Sequence, residues 1–230
     1  MKIIGLIGGM SWNSTLEYYR LINEMVAEKL GQFHSARLVL YSLDFGEIEC
    51  AQRQARWEAA ADILTEAGVA LKRAGADFIV ICTNTMHKVA DNLTQKSGLP
   101  LLHIVDVVGS AAREQGLETV GLLGTKFVMG ESFYRERLQR HFGIHAIVPG
   151  EDDQATIHRI IYDELCQGEM RDSSRRACLG IIDGLKENGA QGVILGCTEL
   201  PLLIRHSDPG IPVLDTTMLH AAAAVSLALA

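Results

Sequence analysis

A cysteine and a threonine at matching places in the chain are the residues best suited to chemistry. Cys197 lies between Gly196 and Thr198, where the apolar run Val193-Ile194-Leu195 ends. Thr83 lies just past a second run, Phe78-Ile79-Val80-Ile81, and is followed by Asn84, Thr85, Met86 and His87. A Gly-Ala pair opens each stretch, Gly75-Ala76 and Gly189-Ala190, at an offset of 114 residues. At that offset Thr83 falls on Cys197 and Asn84 on Thr198. A short apolar run between a glycine and a polar cluster reads as a buried parallel strand. The cluster then sits at the strand's carboxyl end, where open α/β sheets bind ligands. Two acid/base groups on opposite sides of one carbon can take a proton from one face and return it to the other. That chemistry is racemisation or epimerisation.

The two groups are unequal. Cys197 is expected to be exposed at a cleft, with a helix starting near Glu199 and Leu200 whose dipole favours thiolate over thiol. A modest drop from an ordinary thiol pKa of ~8.5 makes it a base near neutral pH. The Thr83 hydroxyl does not ionise in that range, so its part is to donate or relay a proton. Strand alternation points Cys82 away from Thr83, into the core. Asn84, Thr85 and Thr198 offer polar groups at strand-to-helix turns, which suit a carboxylate; simple helix capping accounts for them equally. Gly8-Gly9-Met10 lets the backbone approach a ligand closely. It is no dinucleotide fingerprint, because the third glycine of that motif is missing. Gln52-Arg53, read as the head of a helix, is a candidate for holding a second polar group of the substrate. His87, on the helix after the Thr83 cluster, is within reach to hydrogen-bond it, although a partly buried structural histidine is the commoner case, while His34 and His103 carry no argument.

The elements that must position these residues alternate. Ile3–Ile7 reads as a strand, followed by a helix with apolar positions at Leu16, Tyr19, Ile22, Met25, Val26 and Leu30. Residues 36–43 read as a strand, 44–50 as a polar loop, 52–74 as a helix, 86–93 as a short helix and 99–104 as a strand. A second round follows: helix 106–114, strand 119–125, helix 133–142, strand 144–148, helix 154–165, helix 173–188, the strand before Cys197, strand 211–216 and an Ala-rich last helix. Anchor pairs in the two rounds keep offsets between 112 and 116 residues, as a duplication does. The fold class is therefore α/β, with two pseudo-symmetric lobes, each a parallel sheet flanked by helices, and an active site in the cleft between them. The first lobe takes residues 1–104 plus 217–230, and the second takes 105–216.

The totals exclude several classes. A net charge of −7 with no basic run argues against a nucleic-acid partner. No apolar stretch reaches the ~18–20 residues of a membrane span. The start, Met1-Lys2-Ile3-Ile4-Gly5, enters a strand and lacks a signal-peptide layout. Five cysteines without C-x-x-C spacing read as reduced thiols, so the location is cytoplasmic. No metal centre is expected from scattered histidines. No lysine sits at a strand-end cluster to form a Schiff base with pyridoxal phosphate, so no cofactor is called for.

Gly8-Gly9-Met10, Cys82-Thr83-Asn84-Thr85-Met86-His87 and Gly196-Cys197-Thr198-Glu199 together resemble the aspartate/glutamate racemase family, along the whole chain. The resemblance implies a cofactor-independent isomerase with two pseudo-symmetric α/β lobes, usually a homodimer, acting on a small amino acid through two opposed cysteines. It also implies that Met10, Gln52, Thr83, Asn84, Thr85, Cys197 and Thr198 line the substrate site. The usual first motif is Cys-Asn-Thr, then a small residue and His. Here Thr83 takes the cysteine's place, as in the enterobacterial Thr/Cys variants specific for L-aspartate and L-glutamate. A basic residue that some members place between the motifs has no lysine counterpart at 162–168. Two other readings compete with an acidic-amino-acid racemase. One is a broader racemase or a diacid isomerase of the same superfamily. The other is a non-catalytic amino-acid-binding protein.

Overall fold

The computed structural model describes all 230 residues. They fall into two compact units, Met1–Ile104 with His220–Ala230, and Val105–Leu219.

The first unit opens with β1 (Ile4–Gly8), α1 (Trp12–Leu30), β2 (Leu38–Ser42), α2 (Phe45–Arg53), α3 (Trp57–Arg73) and β3 (Phe78–Ile81). A 3₁₀ turn (Thr85–Val89) and α4 (Ala90–Ser97) follow. The sheet is parallel in the order β2-β1-β3. β1 and β3 are buried at every position, which is why they are written as unbroken apolar runs. Two expectations fail between β2 and β3. The stretch 44–50 is a helix and not a loop: the Asp44 side chain accepts the Gly46 N–H, and Ile48, Ala51 and Gln52 bury one face. The helix expected over 52–74 is two helices, because Ala55 adopts φ +54° and breaks the ladder between them.

The second unit contains α5 (Ile104–Glu114), whose first residue closes the first unit, then β4 (Thr119–Gly124), α6 (Lys126–Gly130), α7 (Ser132–Phe142), β5 (His145–Ile147) and α8 (Glu151–Arg159). A π turn (Ile160–Glu164) and a 3₁₀ turn (Leu165–Gln167) lead to α9 (Asp172–Glu187), β6 (Gly192–Gly196), α10 (Leu200–Leu203), β7 (Val213–Asp215) and α11 (Thr216–Leu229), whose residues from His220 onward belong to the first unit. The helix expected over 154–165 thus widens after Arg159. The wider turn carries the Glu164 carboxylate into the interior, where the Ser174 hydroxyl donates to it and Arg159 reaches it at 3.2 Å. The sheet is parallel in the order β5-β4-β6-β7.

The strand orders repeat. β4 lies between β5 and β6 as β1 lies between β2 and β3. Where β6 pairs with β7 through Val193 and Val213, Ile79 pairs with Leu101 alone. The expected strand over 99–104 therefore shrinks to one bridge. Pro100 does not account for the loss, because Pro212 stands at the same place before β7 and accepts the matching bond from Val193. Gly75 and Gly189 mark the same step in each unit, leaving a helix at φ +87° and +95°, where a side chain would be strained. The last helix contributes Ala221, Ala224, Val225 and Ala228 to the core formed by Ile4, Leu6, Tyr18, Ile22 and Val80. No helix is long and apolar enough to cross a membrane.

Candidate active site

At the carboxyl edge of the first sheet, β1 and β3 end side by side, with Ile7 opposite Ile81. Cys82 donates its N–H to the Ile7 carbonyl and buries its side chain in the core, where desolvation raises its pKa well above the usual thiol range. Thr83 follows, half-buried, then the buried Asn84 and Thr85. Three successive carbonyls here have named donors. The Ser14 hydroxyl donates to Cys82 at 2.9 Å. The His87 ring reaches Thr83 through Nδ1 at 2.8 Å, and the His87 N–H donates to Asn84 at 3.1 Å. Met10 packs in one cluster with Ala51 and Met86, and Gln52 Nε2 donates to Met86 Sδ at 3.1 Å. Met10, Gln52 and Met86 therefore gather in the first unit, whose β3 ends on Thr83, Asn84 and Thr85.

Three readings of this edge need correction. Gln52 lies near the end of α2, not at a helix head, and its neighbour Arg53 turns to Glu49 at 3.3 Å. The glycines after β1 make room for protein, not ligand: a Cβ on Gly8 would lie 2.3 Å from the Thr15 side chain, and one on Gly9, at φ +88°, 2.1 Å from the Leu43 carbonyl. His103 is far from idle, because its ring packs 4.7 Å from that of the buried His87.

At the carboxyl edge of the second sheet, β4 and β6 end together, with Gly124 opposite Gly196. Thr125 closes β4 and caps α6 by accepting the Val128 N–H. Beyond β6 come Cys197, Thr198 and Glu199, all buried. Cys197 is only 7% exposed, against the exposure expected of it, because it packs into the core with Leu195, Leu200 and the half-buried Cys166. Its thiol donates to Glu199 Oε2 at 3.1 Å, and the Thr198 hydroxyl donates to the same oxygen at 2.8 Å. The expected thiolate-favouring dipole is outweighed. Burial first, then the Glu199 carboxylate and Cys166, raise the Cys197 pKa well above the usual thiol range. The helix beyond, α10, is a single turn and offers little opposing dipole. Cys166 itself is pushed up to about 12 by burial and by Glu199. The resting site therefore holds a thiol, not a thiolate, hydrogen-bonded to Glu199.

Glu199 is the functional candidate that the sequence reading passed over as a helix start. The signal was present: an acidic residue two positions after a cysteine at a strand end. The turn that folds its carboxylate back onto Cys197 is visible only in three dimensions. Thr125 likewise echoes the turn after β1 but acquires interest only from the β4–β6 register.

The sequence pattern of the Asp/Glu/hydantoin racemase family matches residues 7–224. Among solved structures the chain is similar to a Yersinia pestis protein described only provisionally as an Asp/Glu racemase, with 50% identity, TM-score 0.93 and 100% of both chains covered. It is similar also to an aspartate racemase homologue from Pyrococcus horikoshii OT3, with 35% identity, TM-score 0.87 and 100% of both chains covered. A further relative is the broad-specificity amino-acid racemase RacX of Bacillus subtilis, 21% identical over 99% of each chain. With a match spanning nearly its whole length and both parallel sheets in place, this chain belongs to the Asp/Glu/hydantoin racemase family and is an isomerase of the amino-acid racemase type.

Proposed function

We propose that the protein racemises acidic amino acids, L-aspartate and L-glutamate foremost, without a cofactor, Cys197 serving as base on one face of the α-carbon and Thr83 as proton donor on the other. The observation that carries this is the buried pair formed by the Cys197 thiol and Glu199, 3.1 Å apart at the end of β6. Glu199 accepts the thiol proton, and the thiolate left behind removes the α-proton of the substrate. Thr83 delivers its hydroxyl proton to the opposite face. The proton held by Glu199 and the one missing from Thr83 then cancel through solvent, so the cycle is balanced. Asn84, Thr85 and Thr198 bind the α-carboxylate, flanked by Met10 and Gln52. The acidic substrate is supported by the family match and by the aspartate racemase homologue at 35% identity.

The asymmetry has a kinetic consequence. Only the Cys197 face has a strong base, so the enantiomer whose α-hydrogen meets it is turned over faster at first. The racemisation equilibrium constant of one still holds. The resemblance to the Thr/Cys variants assigns that enantiomer as L. A broader specificity is the second reading, favoured by the likeness to RacX and by the lack of lysine at 162–168. Proton NMR in D₂O decides between them. Loss of the α-proton of L-aspartate or L-glutamate, dependent on Cys197 and needing no added cofactor, is the expected result. Exchange of other amino acids alone would give the broader reading, and a fumarate-like product a diacid isomerase. Binding without exchange would make the protein a sensor.

The working form is proposed to be a cytoplasmic homodimer. Trp12, Leu16 and Tyr19 support this as an apolar stripe along one face of α1, 66%, 59% and 49% exposed. A mass of two chains by light scattering, reduced to one by Leu16→Glu, is the expected outcome.

A further inference from the structure

Three histidines lie in the first unit beneath the Thr83 strand end, and the proposed chemistry uses none of them. His87, His103 and His220 are all buried, with His87 ring centroids 4.7 Å from His103 and 5.7 Å from His220. The hydrogen bonds fix two of the rings completely. His87 Nδ1 lies 2.8 Å from the Thr83 carbonyl, which can only accept, so Nδ1 carries the proton. Its Nε2 receives the Ile104 N–H at 3.2 Å and is therefore bare. His220 is held the other way round. Its Nε2 donates to the Leu102 carbonyl at 2.9 Å, and its Nδ1 accepts the Tyr18 hydroxyl at 2.9 Å. Both imidazoles are neutral, each in one tautomer, and neither can gain a proton without losing a bond.

The grip on Thr83 is specific. The side chain of His87 holds the Thr83 carbonyl and its main-chain N–H holds the Asn84 carbonyl, while Ser14 holds the Cys82 carbonyl. The peptide planes on both sides of Thr83 are thereby fixed. Threonine is β-branched and has few χ1 choices once its backbone is set, so fixing those planes fixes where its hydroxyl points. No charge is needed for this, and a charged ring would be costly here. Burial pulls the His87 pKa well below the usual imidazole range, and His103 and His220 add to the effect.

We infer that His87 is the positioning residue for Thr83, a neutral imidazole locked as the Nδ1–H tautomer that aims the Thr83 hydroxyl by holding the peptide that follows it, while Ser14 holds the one before. The inference rests on the proposed role of Thr83 as proton donor. His220, with Tyr18 and Leu102, forms the wall that keeps the His87 ring in place.

The test separates the two faces of the reaction. In D₂O, the Cys197 face alone washes deuterium into recovered L-substrate, whereas D-product requires delivery by Thr83. His87→Gln places its amide where Nε2 was, keeping an acceptor for Ile104 and losing the donor to Thr83. His87→Asn places its amide where Nδ1 was, keeping that donor. His87→Gln is expected to lower the ratio of inversion to exchange about tenfold, the worth of one aligned hydrogen bond, while exchange itself changes about threefold or less. His87→Asn is expected to restore the ratio to within about threefold of wild type. A merely structural His87 lowers inversion and exchange together and leaves the ratio unmoved, and that result overturns the inference. So does rescue by Gln but not by Asn.

A second measurement needs no variant. Nitrogen-15 shifts of the His87 ring in the wild-type protein are expected to show a protonated Nδ1 and a bare Nε2 from pH 5 to 8. The opposite tautomer, or a charged ring, overturns the inference even if the variants do not fold. A wild-type protein that exchanges no α-proton removes the proposed reaction and this inference together. An active wild type with an unaltered ratio in His87→Gln overturns the inference alone.

Discussion

The ends of β3 and β6 occupy the same place in two sheets of the same strand order, yet they are held by opposite means. Behind Thr83 stand neutral imidazoles joined to main-chain carbonyls. Beside Cys197 stands a carboxylate that takes hydrogen bonds from both the thiol and Thr198. The shared part is the backbone frame: a buried strand with a left-handed glycine before it. The frame repeats between the two units while the side-chain electrostatics differ. Under the proposed mechanism, a donor that never ionises can sit among neutral rings, whereas a thiol that loses its proton needs an acceptor within reach, even though that acceptor raises its pKa at rest.

The sharpest break in the comparison is loss of the base. Cys197→Ser is expected to reduce α-proton exchange on the order of a thousandfold, because a hydroxyl beside Glu199 is a far weaker acid than a thiol. Exchange measured by NMR at saturating substrate checks this. A loss of tenfold or less would mean that Cys197 is not the base.

Next in size is a difference in pH response. Burial, opposed by the bond to the Leu102 carbonyl, pulls His220 down to about 4 from 6.5. His87 is also lowered. The groups facing these rings are the Tyr18 hydroxyl, the Ile104 N–H, the Leu102 and Thr83 carbonyls and the His103 ring. The folded protein resists protonation at these rings while the unfolded chain accepts it. Stability is therefore fully present above about pH 6.5 and is lost as pH falls toward 4. For His220 the gap between 6.5 and about 4 corresponds to about 3 kcal/mol. Amide exchange in β1 and β3 is expected to lose protection before that in β4 and β6 as pH drops from 7 to 4.5. Equal loss in both sheets would contradict this.

Glu199→Gln sharpens the contrast from the other side. Removing the carboxylate's charge lets the Cys197 thiol ionise at lower pH than in the wild type. It also removes the proton acceptor, so turnover is expected to fall on the order of tenfold to a hundredfold. Thiolate absorbance, referenced to Cys197→Ser, reads the first effect, and racemisation rate reads the second. Unchanged turnover would leave Glu199 as a spectator.

The frame was legible in the sequence and the electrostatics were not. Unbroken apolar runs such as Phe78–Ile81 and Gly192–Gly196 are buried on both faces, so composition alone marks them. The glycine and polar punctuation repeats at a nearly constant offset, which exposes the duplication. Marginal elements were misread for local reasons. Phe45–Arg53 becomes a helix only because Asp44 caps it and Ile48 finds a core. Residues 99–104 keep only the Ile79–Leu101 bridge, although their proline is matched by Pro212 before the intact β7. The pairing of His87 with Ile104 and of His220 with Leu102 spans 17 and 118 residues, and no spacing rule predicts it. Glu199 is the reverse case. It stands beside Cys197 in the chain, yet its role depends on a turn whose direction the sequence does not declare.

The smallest expected effect concerns one buried hydroxyl near each end. Ser14 and Thr216 are buried, and each donates one neutral hydrogen bond of 2.9 Å to a main-chain carbonyl near a strand end. Removing either donor leaves a buried carbonyl without that partner at a cost of about 1 kcal/mol, somewhat more where water cannot enter. Ser14→Ala and Thr216→Val are therefore expected to lower the denaturant midpoint by similar small amounts. Their effects on catalysis should differ. Ser14 holds the peptide immediately before Thr83, so its loss is expected to shift inversion relative to exchange. Thr216 holds Leu195, two residues before Cys197, so its loss is expected to slow both together. If both variants change the ratio of inversion to exchange alike, the two strand ends do not divide the reaction between them, and the resemblance of their frames would extend to their chemistry.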